Sequence, residues 1–295
     1  MQRLKFPMKP HRLSQSFKCS PTERQVCDRC KIEFDRNQRT LCLYHPGKQQ
    51  YKHTTGTLVY TCCKKSNGGC CVAQRHVPKK SPRYSYDGFR ATKTTASRPP
   101  SILAMDCEMV YTDVGLEVAK VSLVDTRGRV AYNKYVFPNH PIVDYNTRYS
   151  GITPTHMEGA VSFDVMQEEL LDIIHKDTIL IGHGLENDLR GLRLFHSKIV
   201  DTSECFSFCE QKVSLKHLVY TYLGRSIQDN EHDSVEDAQA CLDLMYLKYH
   251  EPFLGKGLKI WLAKAIYSHG RYLLGMKMMK IGPQNQLMYS VDSHK

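Results

Sequence analysis

The stretch Ile102-Leu103-Ala104-Met105-Asp106-Cys107-Glu108-Met109-Val110 is apolar except for two acids placed two residues apart. A run of this kind reads as a buried, central strand. Side chains alternate along a strand, so Asp106 and Glu108 share one face and Cys107 takes the other. Two carboxylates on one buried face repel and raise each other's pKa unless a cation sits between them. The pair therefore points to a metal; an edge strand with solvated acids is the competing reading.

The chain around this strand carries mixed patterns. Residues 119–125 and 130–137 read as two more strands, joined by the turn chemistry of Thr126-Arg127-Gly128, which suggests an antiparallel meander. Thr153-Pro154 offers a helix start, and apolar residues at three- and four-residue spacing (Val161, Val165, Leu170, Ile173, Ile174) predict one helix to about residue 175. Residues 178–181 and 199–200 read as short strands. Residues 185–195, 214–223 and 234–249 read as helices. Strands followed by alternating helices and strands give an α/β class with a mixed sheet flanked by helices.

Two later stretches add titratable groups. Asp188 follows a strand and a glycine turn, in the first turn of a predicted helix, where an acid is also favoured by the helix dipole alone, by ~0.3–1 kcal/mol. Glu186 competes with it. His232-Asp233-Ser234-Val235-Glu236-Asp237 places a histidine in a loop and an acid in the next helix. Ser234 and Asp237 also fit a capping pattern. With His232 outside the helix, both side chains can face one cleft.

Acid-x-acid on a first strand, an acid at a later helix start and His-x4-Asp before a final helix together resemble the DEDDh exonucleases, a branch of the ribonuclease-H-like fold. More closely, the chain resembles the RNA exonuclease 1 (Rex/GOR) family. The phrases that carry this are Met105-Asp106-Cys107-Glu108-Met109-Val110-Tyr111-Thr112, Val143-Asp144-Tyr145-Asn146-Thr147-Arg148-Tyr149-Ser150-Gly151, Gly182-His183-Gly184-Leu185-Glu186-Asn187-Asp188, Val200-Asp201-Thr202 and Ile227-Gln228-Asp229. The resemblance runs over about residues 27–250. It implies that Asp106, Glu108, Asp188 and Asp237 are metal ligands and His232 the general base. It further implies two Mg2+ or Mn2+ ions, the choice of hard oxygen donors, and 3′–5′ trimming of single-stranded RNA to nucleoside 5′-monophosphates. A catalytically idle RNA-binding adaptor and a DNA-trimming enzyme on the same fold are the alternatives. Two departures stand out. Gly184 occupies a place where serine is usual, which would loosen the turn before Asp188. Residues 206–213 lack the basic, proline-containing loop expected there.

The first hundred residues differ in kind. They carry 21 Lys and Arg against 5 acids, whereas residues 101–295 carry 20 against 25. A basic arm on an acidic body suggests a polyanion held by the arm. Eight of the 12 cysteines lie before residue 72. Cys27-x2-Cys30 and Cys42-x2-His45 have the spacing of zinc-ligand pairs, and Cys62-Cys63 and Cys70-x5-His76 follow. Eight ligands fill two tetrahedral Zn2+ sites, with Cys19, His53 and Cys71 as spares; buried free thiols are the alternative. So small a basic segment lacks the apolar residues to fold without a staple. The arm would bind RNA or a protein partner, and its sequence leaves both open.

These readings divide the chain into a Cys/His zinc-binding region at 1–77, a linker at 78–100, an exonuclease domain at 101–250 and a C-terminal extension at 251–295. Residues 258–279 read as a basic amphipathic helix or as a packing extension. The opening residues lack a signal-peptide pattern, and no apolar segment approaches the ~20 residues that cross a bilayer. Residues 78–83 resemble a nuclear-localisation patch. An intracellular, nuclear monomer is expected.

Overall fold

The computed structural model describes residues 24–79, 86–94, 101–207, 212–229 and 232–250. Cys19, the expected helix at 258–279 and parts of the 78–83 and 206–213 stretches lie outside the described residues. The chain forms two compact units. Among the described residues, one comprises 24–79, 111–116 and 140–144; the other holds 86–94, 101–110, 117–139, 145–207, 212–229 and 232–250.

The first unit is built from short antiparallel ladders. Strand β1 (Arg24–Val26) pairs with β2 (Glu33–Asp35), β3 (Cys42–Tyr44) with β6 (Cys71–Ala73), and β4 (Gln49–Lys52) with β5 (Thr57–Tyr60). Among the described residues its fully buried apolar side chains are Cys27, Cys42 and Val77. Leu41, Leu43, Leu58 and Val72 are all exposed, so hydrophobic burial contributes little here.

The second unit has a conventional core. Its elements are β7 (Arg90–Ala91), β8 (Ile102–Thr112), β9 (Gly115–Asp125), β10 (Val130–Phe137), β12 (Val161–Ser162), β13 (Ile179–Gly182), β14 (Leu194–Phe195) and β15 (Ile199–Asp201). The helices are α1 (Thr147–Ser150), α2 (Phe163–Ile173), α3 (Leu185–Gly191), α4 (Thr202–Cys205), α5 (Leu215–Leu218) and α6 (Ser234–His250). The sheet order is β12-β10-β9-β8-β13-β15. Strand β10 runs antiparallel to β9, whereas β13 runs parallel to both β8 and β15. Ile102, Leu103, Ala104 and Met105 are buried in succession, as a strand covered on both faces requires. Helix α6 lays Ala238, Cys241, Leu242 and Met245 against Ile102, Ala104, Ile179, Ile181 and Val200. The strand ends 111–112 and the short β11 (Ile142–Asp144), which pair antiparallel, are grouped with the first unit.

Register places the chemistry. Ile181 lies opposite Ala104, and Gly182 opposite Asp201. The parallel strands thus end together just where β8 reaches Asp106, and α3 starts from that end. Carboxyl ends of parallel strands are where α/β sheets bind their ligands.

Three sequence expectations need correction. The single helix predicted from 154 to 175 is a one-turn 3-10 segment (Pro154–Met157), then β12, then α2. Its spacing pattern begins at Val161, a strand residue, and the working cap is Ser162, whose hydroxyl accepts from Val165 N at 3.3 Å. The helix predicted over 185–195 stops at Gly191, because Arg193 is left-handed (φ 52°) and Leu194 begins β14. The expected linker is partly structural. Strand β7 pairs parallel with β14, Gln167 Nε2 donates to Gly88 O at 3.1 Å, and Phe89 packs on Phe195 with centroids 4.8 Å apart. Among the described residues no helix is long and apolar enough to cross a membrane.

A Cβ on Gly182 would lie 2.7 Å from Met105 O and 2.4 Å from Leu185 Cδ2. Gly182→Ala should therefore wedge β13 from β8 and cost ~1–3 kcal/mol, as overpacking does. Urea unfolding of the variant checks this; a midpoint equal to the parent's would show that the strands yield freely.

Candidate functional site

Strand β8 delivers Asp106 and Glu108, α3 delivers Asp188, and α6 delivers Asp237 in its first turn, with His232 in the preceding loop. Ligand-capable atoms of Glu108, His232 and Asp237 all lie within 4.8 Å of one another. His232 Nδ1 is 3.7 Å from Asp237 Oδ2. Asp106 and Asp188 stand outside this trio but within its field. Burial, followed by the charges of Asp188, Asp237 and Glu108, holds the Asp106 carboxyl well above the usual range.

The other carboxyls show the same strain. Burial and then the Asp237 charge push Glu108 up to about 8, with Lys120 opposing. Burial pushes Asp188 to about 7 and Asp237 to about 6, the latter partly offset by a hydrogen bond from Gln228. Glu108 Oε1 and Asp237 Oδ1 are buried with no hydrogen-bond partner. Buried oxygens without partners call for an explanation, and hard, anionic oxygens from several elements fit Mg2+ or Mn2+. Desolvation first, then Lys216, lowers the pKa of His232, so its imidazole is neutral near physiological pH.

The two acids at α3 differ in burial. Glu186 is exposed and pairs with Arg190, whereas Asp188 is buried. The loosened turn expected from Gly184 is absent. Gly184 is left-handed (φ 74°), and the buried Asp201 carboxylate accepts from Gly184 N at 2.9 Å and Leu185 N at 3.1 Å. Ser203 N and Oγ donate to the same carboxylate at 2.9 and 2.7 Å.

Sequence reasoning assigned no role to four residues that shape this site. Asp201 pins the start of α3. Gln228, itself left-handed (φ 57°), donates Nε2 to Asp237 Oδ2 at 2.7 Å. Lys120 ion-pairs with Asp233 at 3.2 Å and opposes the rise in the Glu108 pKa. Cys107, expected on the far face, lies close enough to Asp188 for each to shift the other's pKa, the Cys107 thiol upward. Asp201, Gln228 and Cys107 do lie in phrases that resemble the family; Lys120 left no such signal.

The first unit gathers the eight expected sulfur and nitrogen ligands into two clusters. Cys27, Cys30, Cys42 and His76 form one; His45, Cys62, Cys63 and Cys70 form the other. In the first, Cys27 Sγ lies 3.7 Å from Cys42 Sγ and Cys30 Sγ 3.3 Å from His76 Nδ1. In the second, His45 Nδ1 lies 3.7 Å from Cys62 Sγ and 3.4 Å from Cys63 Sγ, and Cys62 Sγ 3.5 Å from Cys70 Sγ. The sequence pairs Cys42-x2-His45 and Cys70-x5-His76 are each split between clusters. His53 and Cys71 belong to neither.

Residues 103–245 match the RNase_T exonuclease family. The chain is 42% identical over 248 residues to Exonuclease GOR of Pan troglodytes, covering 77% of this chain and 36% of that one. It is 39% identical over 246 residues to the RNA exonuclease 1 homolog of Homo sapiens, covering 77% of this chain and 20% of that protein. It also resembles the catalytic unit of Neurospora crassa Pan2, with a TM-score of 0.49 and 28% identity over 63% of this chain and 33% of that one. The chain thus spans about a third or less of the length of these two curated relatives.

The raised carboxyls make a pH prediction. In the metal-free fold Glu108 keeps its proton up to about pH 8, whereas an unfolded chain releases it near the ordinary 4.5. Between those limits the unfolded state binds fewer protons, so stability falls as pH rises. With chelator present, the Glu108→Gln variant should melt above the parent at about pH 8 and closer to it at about pH 5. Parallel melting profiles for the two proteins would remove the strain argument.

Proposed function

Because this chain belongs to the RNA exonuclease 1 (Rex/GOR) family, we propose that residues 101–250 form a divalent-metal-dependent 3′–5′ exoribonuclease that releases nucleoside 5′-monophosphates. The observation that carries the reading is the pair of partnerless buried oxygens, Glu108 Oε1 and Asp237 Oδ1, in a cluster whose carboxyls resist ionisation. Asp106, Glu108, Asp188 and Asp237 would hold the metal. When bound, two such ions supply charge neutralisation at the scissile phosphate and acidify a water for attack.

The chain's own groups supply the rest. His232 turns Nδ1 toward Asp237, which leaves Nε2 to take the proton of the attacking water. Gln228 fixes Asp237 Oδ2, so the carboxylate cannot rotate away from the cluster. Asp201 anchors the α3 start and thereby the position of Asp188. A 3′ end of single-stranded RNA is the substrate inferred from the relationship to the RNA exonuclease 1 homolog.

The test is a time course on end-labelled single-stranded RNA and DNA of the same sequence, with Mg2+ or with EDTA. The parent should shorten RNA from its 3′ end only with the metal. Asp106→Ala should abolish trimming without loss of the fold, since repulsion among the remaining acids falls. His232→Ala should lower turnover by ~100-fold or more, the scale of a lost general base, and change RNA affinity far less. Trimming by Asp106→Ala at the parent rate would refute the assignment. RNA binding without trimming would identify an adaptor, and faster loss of DNA a DNA-trimming enzyme.

A further inference from the structure

The first unit has too little apolar core to account for its order. Three fully buried hydrophobic residues serve a described stretch of 56 residues, 24–79. Side chains that would ordinarily fill a core, Leu43 and Val72 among them, are exposed on the β3–β6 ladder. Domains this poor in burial are held by disulfides or metal. All ten cysteines among the described residues are unpaired by disulfides. What the unit does gather is six thiols and two imidazoles, in two sets of four.

We propose that these residues bind two Zn2+ ions in Cys3His sites, one nested inside the other. Cys27, Cys30, Cys42 and His76 hold the outer ion; His45, Cys62, Cys63 and Cys70 hold the inner one. Three soft thiolates with one imidazole select zinc over the hard cations suited to the carboxylate cluster. The proposal is independent of the nuclease reading.

The nesting follows from the antiparallel β3–β6 ladder. Its register is Cys42↔Ala73, Leu43↔Val72 and Tyr44↔Cys71. In an antiparallel pair, the start of one strand lies beside the end of the other. Cys42 opens β3 and His76 lies three residues beyond β6, so both fall at one end. His45 immediately follows β3 and Cys70 immediately precedes β6, so both fall at the opposite end. A pair such as Cys42-x2-His45 is therefore stretched along the ladder and divided between two sites. Gly47 seats the inner one. Its ideal Cβ would lie 2.5 Å from Cys62 N, so only a bare backbone passes there.

The outer site also orders a clamp. Between Cys27 and Cys30, Arg29 sends both terminal nitrogens to the Asp144 carboxylate at 2.9 Å. Its guanidinium lies over Tyr44 and Tyr111, 5.0 and 4.8 Å from the ring centroids. Asp28 accepts from Tyr111 Oη at 3.3 Å. A fixed metal knuckle keeps this bidentate pair, with its arginine buried, in place, where a flexible loop would lose entropy to form it.

Metal analysis of the full chain, purified without added zinc, should give about two zinc ions per molecule; none would overturn the proposal. Two double variants distinguish nesting from pairing by sequence order. Cys42→Ser with His76→Ala removes ligands from one nested site and should leave about one zinc. Cys42→Ser with His45→Ala strikes both and should leave none. Sequence-order pairing, with Cys42 and His45 on one ion and Cys70 and His76 on the other, gives the reverse. Should either variant fail to fold, cadmium-113-loaded parent protein gives the same answer by proton–cadmium couplings. These should group Cys27, Cys30 and Cys42 on one ion and Cys62, Cys63 and Cys70 on the other. Any coupling that joins Cys42 to the second group would overturn the nested arrangement.

Discussion

Mutual repulsion among buried carboxylates is the constraint around which the larger unit is organised. Asp106, Glu108, Asp188 and Asp237 arrive from a strand and two helices, and all are held above their ordinary pKa by burial and by one another or by neighbouring acids. An arrangement like this costs free energy in the fold and yields it back only on meeting a cation. The apolar packing around it supplies the opposing term. Ile102 to Met105, Ile179 to Ile181 and the inner face of α6 bury enough surface to keep the acids together when their charges favour separation.

Neighbouring polar groups limit how far the acids can relax. Gln228 holds one oxygen of Asp237 and leaves the other bare, and Asp201 spends its own carboxylate on the amides that start α3. Lys120 is committed to Asp233 and tempers the field at Glu108 without forming the contact that would quench it. Full neutralisation by lysine or arginine would have made a structural ion-pair cluster. Partial neutralisation leaves negative charge directed at one place, and that is the arrangement a bound cation uses.

The sequence revealed this site better than it revealed the elements carrying it. Asp106 and Glu108 were legible because a two-residue spacing on an apolar run has one geometric meaning. Asp188 was preferred to Glu186 by resemblance alone, since which of two acids in a helix turn faces inward depends on how α3 packs. The helix expected at 154–175 failed because Val161 satisfies a helical spacing while paired in a strand, and periodicity alone cannot separate the two. The segment expected as a linker has polar composition throughout, yet β7 is recruited by pairing with β14, a long-range partner that local composition does not encode. The zinc-type ligands were identified by residue type, but their partition was hidden. Spacing along the chain assigns Cys42 and His45 to one site, and the two ends of a three-residue ladder assign them to different ones.

The two units therefore solve one electrostatic problem with different chemistry. In the larger, a strong apolar core tolerates clustered oxygens whose repulsion is useful for binding a hard ion. In the smaller, clustered sulfur atoms would take the place of the core itself, since Cys27 and Cys42 are among its few buried residues and are also among those that could hold a metal. Losing a cation should consequently mean different things in each. The carboxylate cluster would retain its shape, because Ile102, Ile181 and Cys241 pack regardless of charge. The thiolate clusters would retain little beyond three short ladders and one buried valine, so on the proposed zinc sites binding metal and folding would be one event in that unit.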